Sequence, residues 1–296
     1  GFYAYFRELE KITEALDMDV HLPSYPTVKG YINEEYNSLG LQAYIPKIRT
    51  STAQMEDLTI EMNNELDALD LSVYVFNRLP KENPTAAKIG DVKAHMNLTA
   101  RENELDMTIS LDNTDSIRNA GEIQVGALLQ QYNNKPQANI HIQPTEIVLN
   151  DSIWTINESD IIYTVAEKKM DIRSFSINTD FQRIAADGIA STGPNDSIEV
   201  ELQNIDLQYL LGYTEASKAI SVQGPLSGWA KIYGLFAQPM IEANALLPNA
   251  GLNGTYLGDV TATAYLDREA KAIIINGEAI DSTNHKVVDV QGKVIP

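Results

Sequence analysis

A chain of 296 residues with 44 % hydrophobic and 21 % charged residues is long and apolar enough to fold around a sizeable core, and the absence of cysteine removes disulfide frameworks, thiolate nucleophiles and Cys-based zinc sites. The net charge of −19 repels phosphate backbones and anionic headgroups, which argues against nucleic acid as a partner and against polybasic membrane docking. No run of about 18 apolar residues occurs, so no helical membrane span is expected. A basic segment before an apolar stretch is also missing at the N-terminus, and the Gly1 start and Val294-Ile295-Pro296 end read as those of a fragment.

Phe2, Phe6, Leu9 and Leu16 recur at helical spacing, with Arg7, Glu8, Glu10, Lys11 and Glu14 between them, and predict an amphipathic helix over residues 1–17. From Met18 the period changes to two. Met18, Val20 and Leu22 are followed by Val28, Gly30 and Ile32, then by Leu39, Leu41, Ala43 and Ile45, bounded by Pro23, Pro26 and Pro46. Leu58, Ile60 and Met62 come next, and Leu69, Leu71, Val73 and Val75 after them. The stretch 79–88, with Pro80, Asn83 and Pro84, is the most loop-like and a candidate seam.

Val92, Ala94, Met96 and Leu98 then face Leu105, Met107, Ile109 and Leu111 across the polar connection 99–104, a hairpin with both apolar sets on one side. Further alternating runs are Ile123 to Ala127, Ile140 to Leu149, and Ile161, Tyr163 and Val165 before a turn at Lys168-Lys169. The cleanest is Ile198, Val200 and Leu202 against Glu199, Glu201 and Gln203. Val260, Ala262, Ala264 and Leu266 precede a turn at Asp267 to Ala270, and Ile273, Ile275, Val288 and Val290 close the pattern. Strands every 10–15 residues, without helices long enough for crossovers, predict an all-β antiparallel chain, continuous from residue 18 to 296 after the N-terminal helix.

Motifs that carry chemistry are missing. His21, His95, His141 and His285 are scattered and form no H-E-x-x-H pair, and His21, His95 and His141 are read as outward strand residues. Gly224 to Gly228 is G-x-x-S-G rather than the nucleophile elbow, so Ser227 is read as a turn residue. Asp112-Asn113-Thr114-Asp115 lacks the glycine and distal glutamate of a calcium loop. Gly251 to Gly258 lacks dinucleotide-binding spacing, and the two N-glycosylation sequons at Asn97 and Asn253 are short enough to arise by chance. No catalytic residue, metal ligand or cofactor is assigned, and the chain is not read as an enzyme.

The second half resembles the C-terminal region of the TamB group within the AsmA-like family of Gram-negative envelope proteins. The residues that carry the resemblance are Leu149 to Trp154, Ile184 to Ser191 with Asp187-Gly188, and Ile198 to Leu207 with its Ile205-Asp206-Leu207 exit. Val222 to Gly228, Pro239 to Ala243 and Leu252 to Val260 add to them. These are degenerate repeat motifs, spread over residue 18 to the end and densest after Ile140, and none is a catalytic signature. The N-terminal membrane anchor of a complete family member is not in this sequence. The resemblance implies an elongated antiparallel sheet curled into an apolar-lined groove, the β-taco. It further implies a periplasmic place in a parent protein anchored in the inner membrane, phospholipid or other acyl chains as cargo, and a TamA- or BamA-type outer-membrane barrel protein as partner.

On this reading the groove is lined by Leu71, Val73 and Val75, by Leu105, Met107, Ile109 and Leu111, and by Ile198, Val200 and Leu202. Val260, Ala262, Ala264 and Leu266, with Ile273 and Ile275, complete the set. Two other readings share the same alternation. One is a scaffold for outer-membrane barrel assembly that offers its strand edges to a client; the other is a plain β-sandwich whose apolar faces pack together.

Overall fold

Alternation of apolar and polar residues places every second side chain on the same side only when the backbone is extended. In the computed structural model, which describes residues 1–6, 21–22, 25–49, 54–64, 67–78, 91–113, 117–207, 221–267 and 272–294, the chain meets this condition with twenty-one strands. They are β1 (Phe2–Tyr5), β2 (Thr27–Asn33), β3 (Ser38–Arg49), β4 (Gln54–Asn63), β5 (Leu69–Arg78), β6 (Val92–Arg101), β7 (Glu104–Asn113) and β8 (Ala120–Tyr132). β9 (Lys135–Ile142), β10 (Thr145–Leu149), β11 (Ser152–Ile156), β12 (Ser159–Thr164), β13 (Lys169–Asn178), β14 (Arg183–Ala190) and β15 (Ser197–Asp206) follow. The last are β16 (Val222–Gln223), β17 (Pro225–Tyr233), β18 (Met240–Leu252), β19 (Thr255–Asp267), β20 (Ala272–Ile280) and β21 (Lys286–Val294). No helix among the described residues is long and apolar enough to cross a membrane.

The chain divides into two units, Gly1–Leu128 with Thr145–Ile153, and Leu129–Pro144 with Trp154–Pro296. In the first, β1 to β8 pair each with the next, and β10 pairs with β8. In the second the order is β9, β12, β13, β14, β15, β17, β18, β19, β20 and β21. Residues 155–156 of β11 pair with β13, and β16 pairs with β18. Every pairing among the described residues is antiparallel, as the sequence predicts. The candidate seam at 79–88 lies outside the described residues.

Four local expectations change. Phe2 to Tyr5, read as the first turn of a helix, is strand β1, and residues 7–17 of that helix lie outside the described residues. The reason is a local fit. Phe2 opposes Gly30, and its ring occupies the space that a Cβ on Gly30 would need. Pro46, read as a boundary, lies inside β3, where the ladder passes from Ile45↔Leu58 to Lys47↔Glu56. Asp57 between those partners has a φ of 53° and forms a bulge, so a missing proline N–H is tolerated there. The 99–104 connection shrinks to Glu102-Asn103, because Arg101 pairs with Glu104. Val165, read as the end of a strand, opens a 3-10 turn, and Lys168 in the left-handed region leads into β13.

Three bulges in the second unit share one construction. Extra residues at Arg173-Ser174, Gln203-Asn204 and Pro248-Asn249 fall at the register shifts of β13, β15 and β18. Ser174, Asn204 and Asn249 have φ of 56°, 52° and 51°. Each backbone N–H that the bulge takes out of the ladder donates to a side chain on the next strand: Asp187 Oδ2 at 3.0 Å, Ser227 Oγ at 2.9 Å and Asp259 Oδ1 at 2.9 Å. Ser227 is therefore a strand residue with a structural partner, not a turn residue. The bulges also keep the apolar face constant. Ile172 and Phe175 on β13, and Leu202 and Ile205 on β15, remain on the same side although three residues apart. Such bulges bend a strand and increase its twist, which curls a sheet. Replacing Asp187 with alanine leaves the Ser174 N–H to water and should cost about 1 kcal/mol, read from urea denaturation. An unchanged midpoint would mean that the clamp contributes nothing.

The closed core is small. Among the described residues the larger side chains that are buried are Ile147 in the first unit, and Trp154, Ile156, Ile198, Ile205, Leu247 and Ile273 in the second. Ile205, 1 % exposed, sits just past its bulge opposite Leu226.

Candidate functional site

Directly opposed residues in a sheet share a face, so the registers sort the side chains without ambiguity. In the first unit one row runs Ala4, Val28, Ala43, Ile60, Val73, Met96, Ile109, Ile123 across eight strands. Its neighbour runs Phe2, Gly30, Leu41, Met62, Leu71, Leu98, Met107, Val125. Val75, Ala94, Leu111, Gly121 and Ile147 continue the face on one side, and Leu69, Ala100, Leu105 and Ala127 on the other. Eight strands span about 34 Å, so this is an apolar path across the strands rather than a patch. The opposite face is polar in the same register: Lys29, Gln42, Glu61, Ser72, Asn97, Thr108, Gln124 form one of its rows.

The second unit repeats the design. Ile140, Ile161, Ile172, Gly188, Ile198, Ile232 and Ile241 form one apolar row from β9 to β18. Phe175, Ala186, Val200, Ala230, Ala243, Ala264 and Ile275 form the next. A third holds Ile177, Ile184, Leu202, Gly228, Ala245, Ala262 and Gly277, and a fourth Leu247, Val260, Ala279 and Val288. Leu266 opposes Ile273. Between the isoleucine row and the Leu247 row, the floor from β17 to β19 is made of alanine and glycine, so it is lower than its borders.

Each lining residue named from the sequence thus lies on the apolar face of its own unit. Leu71, Val73, Val75, Leu105, Met107, Ile109 and Leu111 meet in the first. Ile198, Val200, Leu202, Val260, Ala262, Ala264, Leu266, Ile273 and Ile275 meet in the second. Their burial is informative. Ile198 and Ile273 are buried, Ile275 is 37 % exposed, and the others are half-buried. Flanking side chains within a sheet remove part of a residue's surface, but full burial requires a second layer over it. The face is only partly covered.

Residues of equal standing are absent from the sequence-derived lining: Ile60, Met62, Met96, Leu98, Ile232 and Ile241 occupy the same rows. Their alternation is visible in the sequence, and only the register ties them to the face. The bulge clamps of Asp187, Ser227 and Asp259 were also missed. The adjacent glycines in Asp187-Gly188, Ser227-Gly228 and Gly258-Asp259 are the signal that could have pointed to them.

The polar faces carry paired charges. Arg183 Nη1 donates to Glu201 Oε2 at 2.6 Å, and Lys231 Nζ lies 3.1 Å from Glu199 Oε2. His95 bonds Ser72 Oγ at 3.0 Å, and His141 Nδ1 lies 2.9 Å from Asp160 Oδ1. The hydrogen bond that it donates to Glu199, and then the charge of Glu199, holds the Lys231 ammonium above the ordinary lysine pKa. A raised lysine pKa contributes stability that is complete below the unfolded value and is lost as pH rises through the folded one. Lys231 should therefore stay protonated to higher pH than a free lysine, and Glu199→Gln should lower its midpoint, Tyr233 and Glu242 contributing the smaller remainder. An NMR titration of the side chain, with the same midpoint in both proteins, would remove the pairing. No group of three His, Asp or Glu side chains among the described residues is arranged to hold a metal ion. Asn113 uses its amide on Ile117 O and its carbonyl oxygen on the Asn119 N–H, while Thr114 and Asp115 lie outside the described residues.

Compared with protein-family models, curated proteins and solved structures, the chain matches none.

Proposed function

We propose that the chain is a segment of a TamB- or AsmA-like envelope protein, placed in the periplasm, whose apolar face holds phospholipid acyl chains on their way between inner and outer membranes. The observation that carries this reading is the set of uninterrupted apolar cross-strand rows whose side chains remain half-open. Soluble monomers rarely leave more than a few hundred Å² of contiguous apolar surface open, so an apolar occupant is favoured for a half-covered face that runs across eight strands. Acyl chains suit it because the surface is non-directional and each buried CH₂ contributes about 0.8 kcal/mol. An acyl chain spans half of the roughly 30 Å hydrocarbon core of a bilayer, well within the first unit's path of about 34 Å. On this reading a TamA- or BamA-type barrel protein in the outer membrane is the partner, and the parent protein is anchored in the inner membrane.

Purification under native conditions, solvent extraction and mass spectrometry should recover phospholipid in stoichiometric amount. A chain that carries none, and takes none up from vesicles, would favour instead a face that simply packs against protein, as in a sandwich module.

One observation favours the scaffold reading as a second. Among the described residues β21 pairs only with β20, and its Val287, Val290 and Val294 are 50 %, 52 % and 46 % exposed. An edge strand with bare valines is a template for a client strand. Cross-linking of β21 positions to an unfolded barrel protein, with lipid content unchanged, would support it.

A further inference from the structure

The polar face of the second unit carries a concavity of about 1080 Å³ that the acyl-chain reading leaves unused. It is larger than the roughly 300–1,000 Å³ typical of small-molecule pockets. Its floor is formed by β13, β14, β15 and β17, and three directly opposed pairs define it: Arg183↔Gln203, Glu201↔Trp229 and Glu199↔Lys231. The chain has two tryptophans. Trp154 is 5 % exposed, as expected of a core residue, whereas Trp229 is 40 % exposed in a row with Ser176, Ala185, Glu201 and Asn244. A large ring on the water-facing side of a sheet, among polar neighbours, does not serve a core.

The side chains around it hold unspent hydrogen-bonding capacity. Arg183 spends Nη1 on Glu201 Oε2, and Lys231 spends its ammonium on Glu199 Oε2, 5.9 Å from the centre of the Trp229 ring. Among the described residues the remaining Arg183 N–H groups, the second carboxylate oxygens of Glu199 and Glu201, the Gln203 amide and the Trp229 indole N–H make no other hydrogen bond. Donors and acceptors therefore alternate around an exposed aromatic plane.

We propose that this cup binds a neutral oligosaccharide of equatorially linked pyranoses. The C–H face of such a ring carries partial positive charge and fits the negative face of an indole. Sugar hydroxyls both donate and accept, which matches a lining of guanidinium, carboxylates and a primary amide. The carboxylates of Asp187, Glu199 and Glu201 outnumber the two cations, so an anionic ligand is repelled. From Ser197 to Gln203 the cup extends about 20 Å along β15, longer than a single sugar needs. The proposal does not rest on the acyl-chain reading, because the cup lies on the opposite face.

The test is a titration of the full chain with cellohexaose and with chitohexaose, followed by tryptophan fluorescence and calorimetry. At least one sugar should give a saturable signal. Trp229→Ala should abolish it, and Glu201→Gln should weaken binding by about tenfold, with circular dichroism confirming that both variants fold. No saturable response to either sugar would overturn the proposal, as would binding that survives Trp229→Ala. A response to spermine with none to the sugars would identify a cation site and overturn it equally.

Discussion

A glutamate placed in the middle of the apolar face, Ile109→Glu in the first unit and Val200→Glu in the second, is expected to reduce the phospholipid that copurifies with the chain by tenfold or more. Ile109 lies between Met96 and Ile123, and Val200 between Ala186 and Ala230. A carboxylate there has no cationic partner on its own face in the registers above. Burial beneath an acyl chain would cost several kcal/mol or force the group to take up a proton. The fold itself should tolerate the change. Both positions are half-buried, so without lipid the carboxylate reaches water and stability should fall by roughly 1–2 kcal/mol. Thr108→Glu is the matched control, adjacent in sequence but on the polar row with Asn97 and Gln124. Lipid content should be unchanged in it. Equal loss from Thr108→Glu and Ile109→Glu would show that binding does not distinguish the faces, and the acyl-chain reading would fail.

The largest effect on stability is expected at Gly258. This residue has a φ of 93°, and a Cβ on it would come within 3.0 Å of the Ile280 carbonyl oxygen on the adjacent strand. Alanine there meets a backbone obstacle as well as a strained dihedral, so Gly258→Ala should lose about 3–5 kcal/mol in urea denaturation. Gly254 separates the two terms. It has a φ of 79° in the Asn253-Gly254 hairpin turn, and a Cβ added to it would meet nothing within 4 Å. Gly254→Ala should then show the dihedral cost alone, about 1 kcal/mol. Similar losses at the two sites would mean that the close approach of Gly258 to β20 is not a constraint.

These expectations depend to different degrees on what could be read from the residues. The alternation of Ile198, Val200 and Leu202 with Glu199, Glu201 and Gln203 already states which side of β15 is apolar, because side-chain direction in an extended chain is fixed by parity. The same holds for Leu105 to Leu111 and Val260 to Leu266. Phe2 to Tyr5 shows the limit. Phe2 and Phe6 have helical spacing, but the aromatic ring at position 2 is held by the gap over Gly30, a residue far along the chain. Ser227 shows it again: a serine between glycines resembles a turn until the neighbouring strand brings the Asn204 N–H within 2.9 Å.

For the alternating runs, the sequence by itself determined the extended secondary structure, the antiparallel sense of the strands and the side on which their apolar residues lie. These follow from local rules: a period of two, turn chemistry, and the absence of long helices. Tertiary structure alone decided the pairing register, the bulges that hold the apolar side constant through shifts of one residue, and the partial exposure of that face. Each of these depends on residues brought together from different strands, and burial depends on what lies above a side chain rather than on its own type. Whether an alternating strand ends in a closed core or on an open face is the same sequence pattern with a different second layer.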